Sequence, residues 1–169
     1  EYDQMRLIQS AGLVFKRVDD RNDIYQLAFS FNYYLKKHKV NRYVQAYTGI
    51  TSEFLVENGL TKEEFIYLYD DMFEGIKPEE VLFVSHGIHG DKKAIEDAEV
   101  TFIPENFYCT FKNAKRLLGR DKRLSLADIA EEAGYMLQNS HDAYADAVAT
   151  AVALSFLTKV EWQIMQNLD

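Results

Sequence analysis

The chain is poor in cysteine. Cys109 stands alone among 169 residues, so no disulfide can close within it and nothing here depends on an oxidising compartment. No N-terminal run joins a basic start, an apolar core and a small-residue cleavage site, and no apolar stretch reaches the ~20 residues that cross a bilayer. A soluble, cytoplasmic protein without a membrane is the expectation. Cations are outnumbered, 19 Lys and Arg against 27 Asp and Glu, for a net charge of -8. That balance argues against holding nucleic acid mainly through a broad cationic surface, but leaves room for a small acidic site whose metal ions reverse the local sign. Internal repeats, low-complexity tracts and linker-like segments are missing too. What is present is 47% apolar content over a length that closes one substantial core, which predicts a single domain over residues 1–169.

Order along the chain changes with position. "MRLIQSAGLVFKR" (5–17) and "IYQLAFSFNYYLKK" (24–37) are rich in strand formers, and "DDRND" (19–23) between them supplies turn residues, so the pair predicts a hairpin. From Asn41 to Gly75 the pattern is helical, with Thr61 and Glu64 spaced as a capping box and Gly75 as a stop. "VLFVSHG" (81–87) is a short continuous apolar run, as in a strand buried on both faces, and a helix over about 91–98 follows it. After "FYCTF" come a basic helix to Leu118, then "SLADIAEEAG" with its glycine stop, then a helix through "SHDAYADAVATAVALSF" (140–156). Strands early and helices late predict a mixed α/β fold.

Asp146 is out of place in that last helix. Positions three and four apart share a face, so Ala143, Asp146, Ala147, Thr150, Ala151 and Leu154 form one stripe whose small residues let the backbone approach a sheet. A carboxylate taken there without a partner would cost several kcal/mol. A hydrogen-bonded structural aspartate, a stripe rotated toward solvent and a metal ligand all satisfy the pattern. His141 falls at the expected first turn, five residues earlier, about 140° away around an ideal helix. It reads either as an exposed histidine without a role or as a ring kept neutral by the positive end of the helix dipole, able to accept a proton. Asp91 follows the buried strand in "HGIHGD", where an N-cap is the ordinary explanation.

The order of these pieces resembles the DEDDh 3′-to-5′ exonucleases, the DnaQ-like group within the RNase H-like superfamily. The family's third motif, His-x-Ala-x-x-Asp-Ala, is matched by His141, Ala143, Asp146 and Ala147. Its second, commonly His-Asn-x-x-Phe-Asp, is similar to His86 through Asp91, with Gly87 and Gly90 departing from the usual Asn and Phe. "YTGIT" (47–51) is similar to the family's "LTGIT", and "CTFKNAKRLLGRDKRLSLADIAEEAG" resembles its linking helices, so the likeness covers nearly the whole chain. It implies a mixed RNase H-like β-sheet flanked by helices. The family's first motif, Asp-x-Glu on a first strand, is only partly matched: Glu1 can stand for its Glu, with the strand and its Asp missing or upstream of residue 1, but the segment from Glu1 to Met5 is then unusually short. Asp3 is another acid nearby. Without that strand, one bound ion and no activity would be expected.

By this resemblance, Asp91, Asp146 and Glu1 would be metal ligands and His141 the general base that takes the proton of the attacking water. Two divalent ions about 4 Å apart can generate the nucleophile and relieve charge on the attacking and leaving oxygens of a phosphodiester. Carboxylate ligands without cysteine suit Mg2+, with Mn2+ as a substitute. "KNAKRLLGRDKR" (112–123) gathers Lys112, Lys115 and Arg116 among other cations, either to meet substrate phosphates or as a solvated face. "FNYYLKKHK" (31–39) mixes tyrosines and lysines, as single-strand binding surfaces and ordinary alternating strands both do. The implied partners are the 3′ ends of single-stranded DNA or RNA, with a polymerase or other protein partner, or a homodimer. A second expectation is a catalytically incomplete exonuclease-fold domain that binds nucleic acid or protein.

Overall fold

The computed structural model describes residues 7–19, 24–119 and 124–166. The hairpin forms as expected: β1 (Gln9–Asp19) pairs antiparallel with β2 (Ile24–Tyr34), in a register running from Gln9 opposite Tyr34 to Asp19 opposite Ile24. Residues 20–23 of the expected turn, like Glu1 and Asp3, lie outside the described residues. The hairpin base is covered. Its far half carries exposed Phe15, Val18, Ile24, Tyr25 and Leu27.

Three helices fill the next segment: α1 (Arg42–Thr48), α2 (Ser52–Asn58) and α3 (Lys62–Met72). Each begins on a side chain that relieves unpaired N–H groups. Asn41 accepts from the amide of Tyr43, Thr51 from that of Phe54, and Thr61 with Glu64 forms the expected capping box. The α2–α3 connection pairs with the end of β2, where Leu60 donates to Tyr34 and Lys36 donates to Leu60. Gly59 permits that approach, because a Cβ there would stand 2.5 Å from the Lys36 nitrogen.

Strand β3 (Leu82–Ser85) leads into α4 (Ile88–Asp97), which returns the chain to β4 (Asn106–Cys109) in parallel with β3. A parallel pair needs such a crossover. The apolar run predicted a strand buried on both faces, yet Leu82 is 55% exposed and within β3 only Ser85 is buried. Among the described residues β3 pairs with β4 alone, so much of its surface stays uncovered. The strands thus fall into two pairs rather than one hydrogen-bonded sheet, within the mixed α/β class that was expected.

The chain then forms α5 (Thr110–Leu118), α6 (Leu126–Glu132) and the long α7 (Ala143–Gln166). Helix α7 packs against β1, β3, α5 and α6. Its most buried positions are Ala149, Thr150, Ala153 and Leu157, so the buried stripe is rotated from the predicted one but still runs through Asp146. By length and composition alone α7 is able to span a bilayer, with a mean hydropathy of 1.3 over its best window. This corrects the expectation that no segment is that long and apolar: Thr150, Ser155 and Thr158 interrupt the run without lowering its mean enough.

Among the described residues, most buried apolar side chains gather in three clusters. Leu35, Phe65, Tyr69, Phe73, Ala98, Val100 and Phe102 join the end of β2 to α3 and the segment after α4, with Phe73 and Phe102 stacked at 4.3 Å. Asp70 ties the same junction by accepting from the amides of Thr101 and Phe102. Ala114, Leu124, Ile129, Ala153 and Leu157 seat α7 on α5 and α6. Val40, Ile50 and Leu55 seat α1 and α2.

Candidate active site

Two residues separate the end of β3 from the start of α4, and the Ser85 hydroxyl organises that turn. It accepts from the Gly87 amide at 3.0 Å and donates to the Asp91 carboxylate. Asp91 is therefore not the cap. Gly87 holds that position, and Asp91 lies in the first turn, exposed, where the positive end of the helix dipole favours its charge.

His86, next in the chain, is oriented from the other side. Thr110, fully buried, donates its hydroxyl proton to the Ser85 carbonyl at 3.3 Å and lies 3.0 Å from His86 Nδ1. With its proton so placed, the hydroxyl oxygen accepts from Nδ1–H. That ring stands edge-on to Phe111. Helix α7 packs against β3, the strand at whose end Ser85 holds Asp91.

Asp146 is half-buried. Burial pushes its carboxyl above the usual range, the His141 backbone N–H and the charges of His141 and His86 pull it down, and Asp142 pushes it up. The His141 amide donates to Asp146 Oδ1 at 3.3 Å, which joins the two residues of the third motif directly. The structure corrects one expectation here. His141 is not in the first turn: it stands two residues before α7 in a left-handed conformation with φ of 78°, shortly after Asn139 at 55°. Asp142 takes the capping role, accepting from the Ala145 amide at 2.9 Å. The exposed His141 ring stacks on Tyr47 of α1, with centroids 3.6 Å apart and planes 25° from parallel.

The predicted phosphate contacts divide. Lys112 points toward the start of α4, with its Nζ 3.2 Å from His89 Nε2. Lys115 is exposed. Arg116 turns the other way, donating to Glu161 of α7 at 2.6 Å and to Asn113 at 3.1 Å, so its guanidinium already has a carboxylate partner. Arg120, Lys122 and Arg123 lie outside the described residues.

Asp91 and Asp146 are hard oxygen donors of the kind Mg2+ and Mn2+ prefer. In number they fall short. Among the described residues no three His, Cys, Asp or Glu side chains gather closely enough to hold a metal ion, and the third acid expected, Glu1, is outside them. Tyr47, Ser85, Thr110 and Gln9 were not singled out from the sequence. Gln9 carried no signal in the sequence: its burial at the first position of β1 is visible only in the fold.

The sequence profile of the family described as Exonuclease matches residues 8–154, which include every element from β1 to the first half of α7. The chain belongs to the exonuclease family. Its relatives include the 3′-5′ exonuclease DinG of Staphylococcus epidermidis, 30% identical over 155 residues, and that of Staphylococcus aureus strain USA300, 27% identical over 144. These alignments take in 89% and 83% of this chain but only 16% and 15% of the relatives, so the chain spans about a sixth of their length. The RNase domain of the yeast Pop2 protein, solved by X-ray methods, superposes with a TM-score of 0.56 over 80% of this chain and 59% of that one, at 16% identity. That likeness shows the fold, which is RNase H-like as the motifs implied. Exonuclease family members generally depend on divalent metal ions.

Proposed function

We propose that the chain hydrolyses phosphodiester bonds one nucleotide at a time from the 3′ ends of single-stranded DNA or RNA. Membership of the exonuclease family supports nuclease chemistry in general, and one observation supports the reading: α7 packs on β3, at whose end Ser85 holds Asp91, while the His141 amide donates to Asp146 at the start of α7. Asp91 and Asp146, with Glu1, would hold divalent ions that activate water and relieve charge on the attacking and leaving oxygens. His141 would take the proton of the attacking water, its ring steadied on one face by Tyr47 and its backbone N–H held to Asp146. Lys112 and Lys115 on α5 would meet the phosphates of the strand, whereas the salt bridge of Arg116 with Glu161 suits it less to that task. A cytoplasmic location, and a polymerase, another protein or a second copy as partner, belong to the same proposal.

The test uses single strands labelled at the 5′ or the 3′ end, incubated with Mg2+ or Mn2+. Removal from the 3′ end releases a 3′ label as mononucleotide in the first turnover and shortens 5′-labelled strands in single steps. Asp146→Ala should abolish both. Equal degradation by the variant would reject the assigned site. The shortage of acids among the described residues favours one second reading, a catalytically incomplete domain that binds nucleic acid or protein. Retention of single strands without their degradation, with either metal, would select it.

A further inference from the structure

Gln9 is buried to 8% exposure at the first position of β1, and its side chain reaches across to the start of α7, more than 130 residues away in the chain. Its Nε2 donates to Asp142 Oδ2 at 2.9 Å and to Asn32 Oδ1 on β2 at 3.0 Å, while its Oε1 accepts from the Ala143 amide at 3.1 Å. The orientation of the amide group is unambiguous, because a backbone N–H can only donate and a carboxylate can only accept. Ala143 and Ala145 carry N–H groups of the first turn of α7, which lack partners within the helix, and Gln9 and Asp142 satisfy one each. Immediately before them the chain makes the turn in which Asn139 and His141 both adopt left-handed conformations without being glycines. Such a turn persists only where its surroundings hold it.

We propose that Gln9 is a positioning residue: its amide latches the turn of residues 139–142 to the β1–β2 hairpin and so sets His141 and Asp146 in place. This rests on the reading of those two residues as reaction machinery, but the latch is measurable without it. Asp142 and Gln9 act as a matched pair, one acceptor-only and one able to give and accept. A carboxylate at position 9 would still accept from Ala143 but would face Asp142 as a like charge. Pairing Gln9→Glu with Asp142→Asn restores the match in reverse: the new amide donates to the new carboxylate and its oxygen still accepts from Ala145.

The experiment follows the His141 ring by proton–carbon NMR in the full chain, alongside kcat and KM on single strands. In the wild type, stacking on Tyr47 at 3.6 Å should shift the His141 ring protons upfield. Gln9→Glu should remove that upfield shift and lower kcat about 10- to 100-fold with KM changed less than about 3-fold, as for a misplaced reacting group. The paired variant should regain the shift and return kcat to within about 3-fold of wild type. Gln9→Met, which keeps the length without the hydrogen bonds, should behave as Gln9→Glu does. Unmoved His141 signals in both single variants would overturn the latch, as would failure of the paired variant to restore them. A chain without nuclease activity in which Gln9→Glu still moves His141 and the paired variant restores it upholds the latch and refutes the function proposed above.

Discussion

Replacing Asp146 with asparagine should make the protein more stable without metal and less responsive to it. Burial is the largest influence on this carboxyl and raises it above the usual range, while the His141 amide and two histidines offset that only in part. Asparagine keeps an oxygen for the His141 N–H and removes the charge. Because the folded value is raised, the cost of the charge is absent below the unfolded carboxylate value of about 3.9 and grows as pH rises through the folded value. The stability advantage of Asp146→Asn over wild type in EDTA should therefore be nil in acid, open between the unfolded and the folded value, and stay constant from there to neutrality. By the proposed function, metal should reverse the order. An ion at 100 times its dissociation constant stabilises the folded state by about 2.7 kcal/mol, which is roughly 5 to 10 °C in a chain of this length. Thermal unfolding at pH 7 in EDTA and in Mn2+ should show that rise for wild type and little or none for Asp146→Asn. Equal Mn2+ stabilisation of both, or a variant less stable than wild type in EDTA at neutral pH, would refute the reasoning.

Leu157 is fully buried where α7 meets α5 and α6, so Leu157→Ala should cost about 2 to 5 kcal/mol in urea unfolding; a loss below about 1 kcal/mol would mean that this junction is not a packed core. Lys112→Ala should weaken single-strand binding and lower its dependence on salt by about one phosphate contact, whereas Arg116→Ala should leave that slope unchanged because its charge is shared with Glu161. Equal salt slopes for the two variants would contradict the division drawn between them.

What was legible in the sequence follows the range of the interactions involved. The capping box of Thr61 and Glu64 and the hairpin of β1 and β2 depend on neighbours a few residues apart, or on alternation within one segment, and both were readable. The motifs at His86–Asp91 and His141–Asp146 were readable as a resemblance because their order is linear. The left-handed turn at His141 was not, since neither Asn139 nor His141 is a glycine and the contacts that hold the turn come from Gln9 and Tyr47. Arg116 looked like a phosphate ligand until its partner, 45 residues away, was in view. Leu82 looked buried because an apolar strand does not reveal how many neighbours it will have.

The placement of Asp146 joins these scales. Ala149 and Ala153 are small and wholly buried, which lets α7 lie close on the strands and helices beneath it. The same closeness takes Asp146, one turn earlier on that stripe, partly out of water, and that desolvation raises its carboxyl. A larger residue at those positions would hold the helix off the elements beneath it and rehydrate the acid. A core helix chosen for stability alone would carry an apolar or neutral residue at position 146. Under the function proposed above, an acid kept there against its own desolvation would be compensated when a cation binds, and its cost would fall on the metal-free protein.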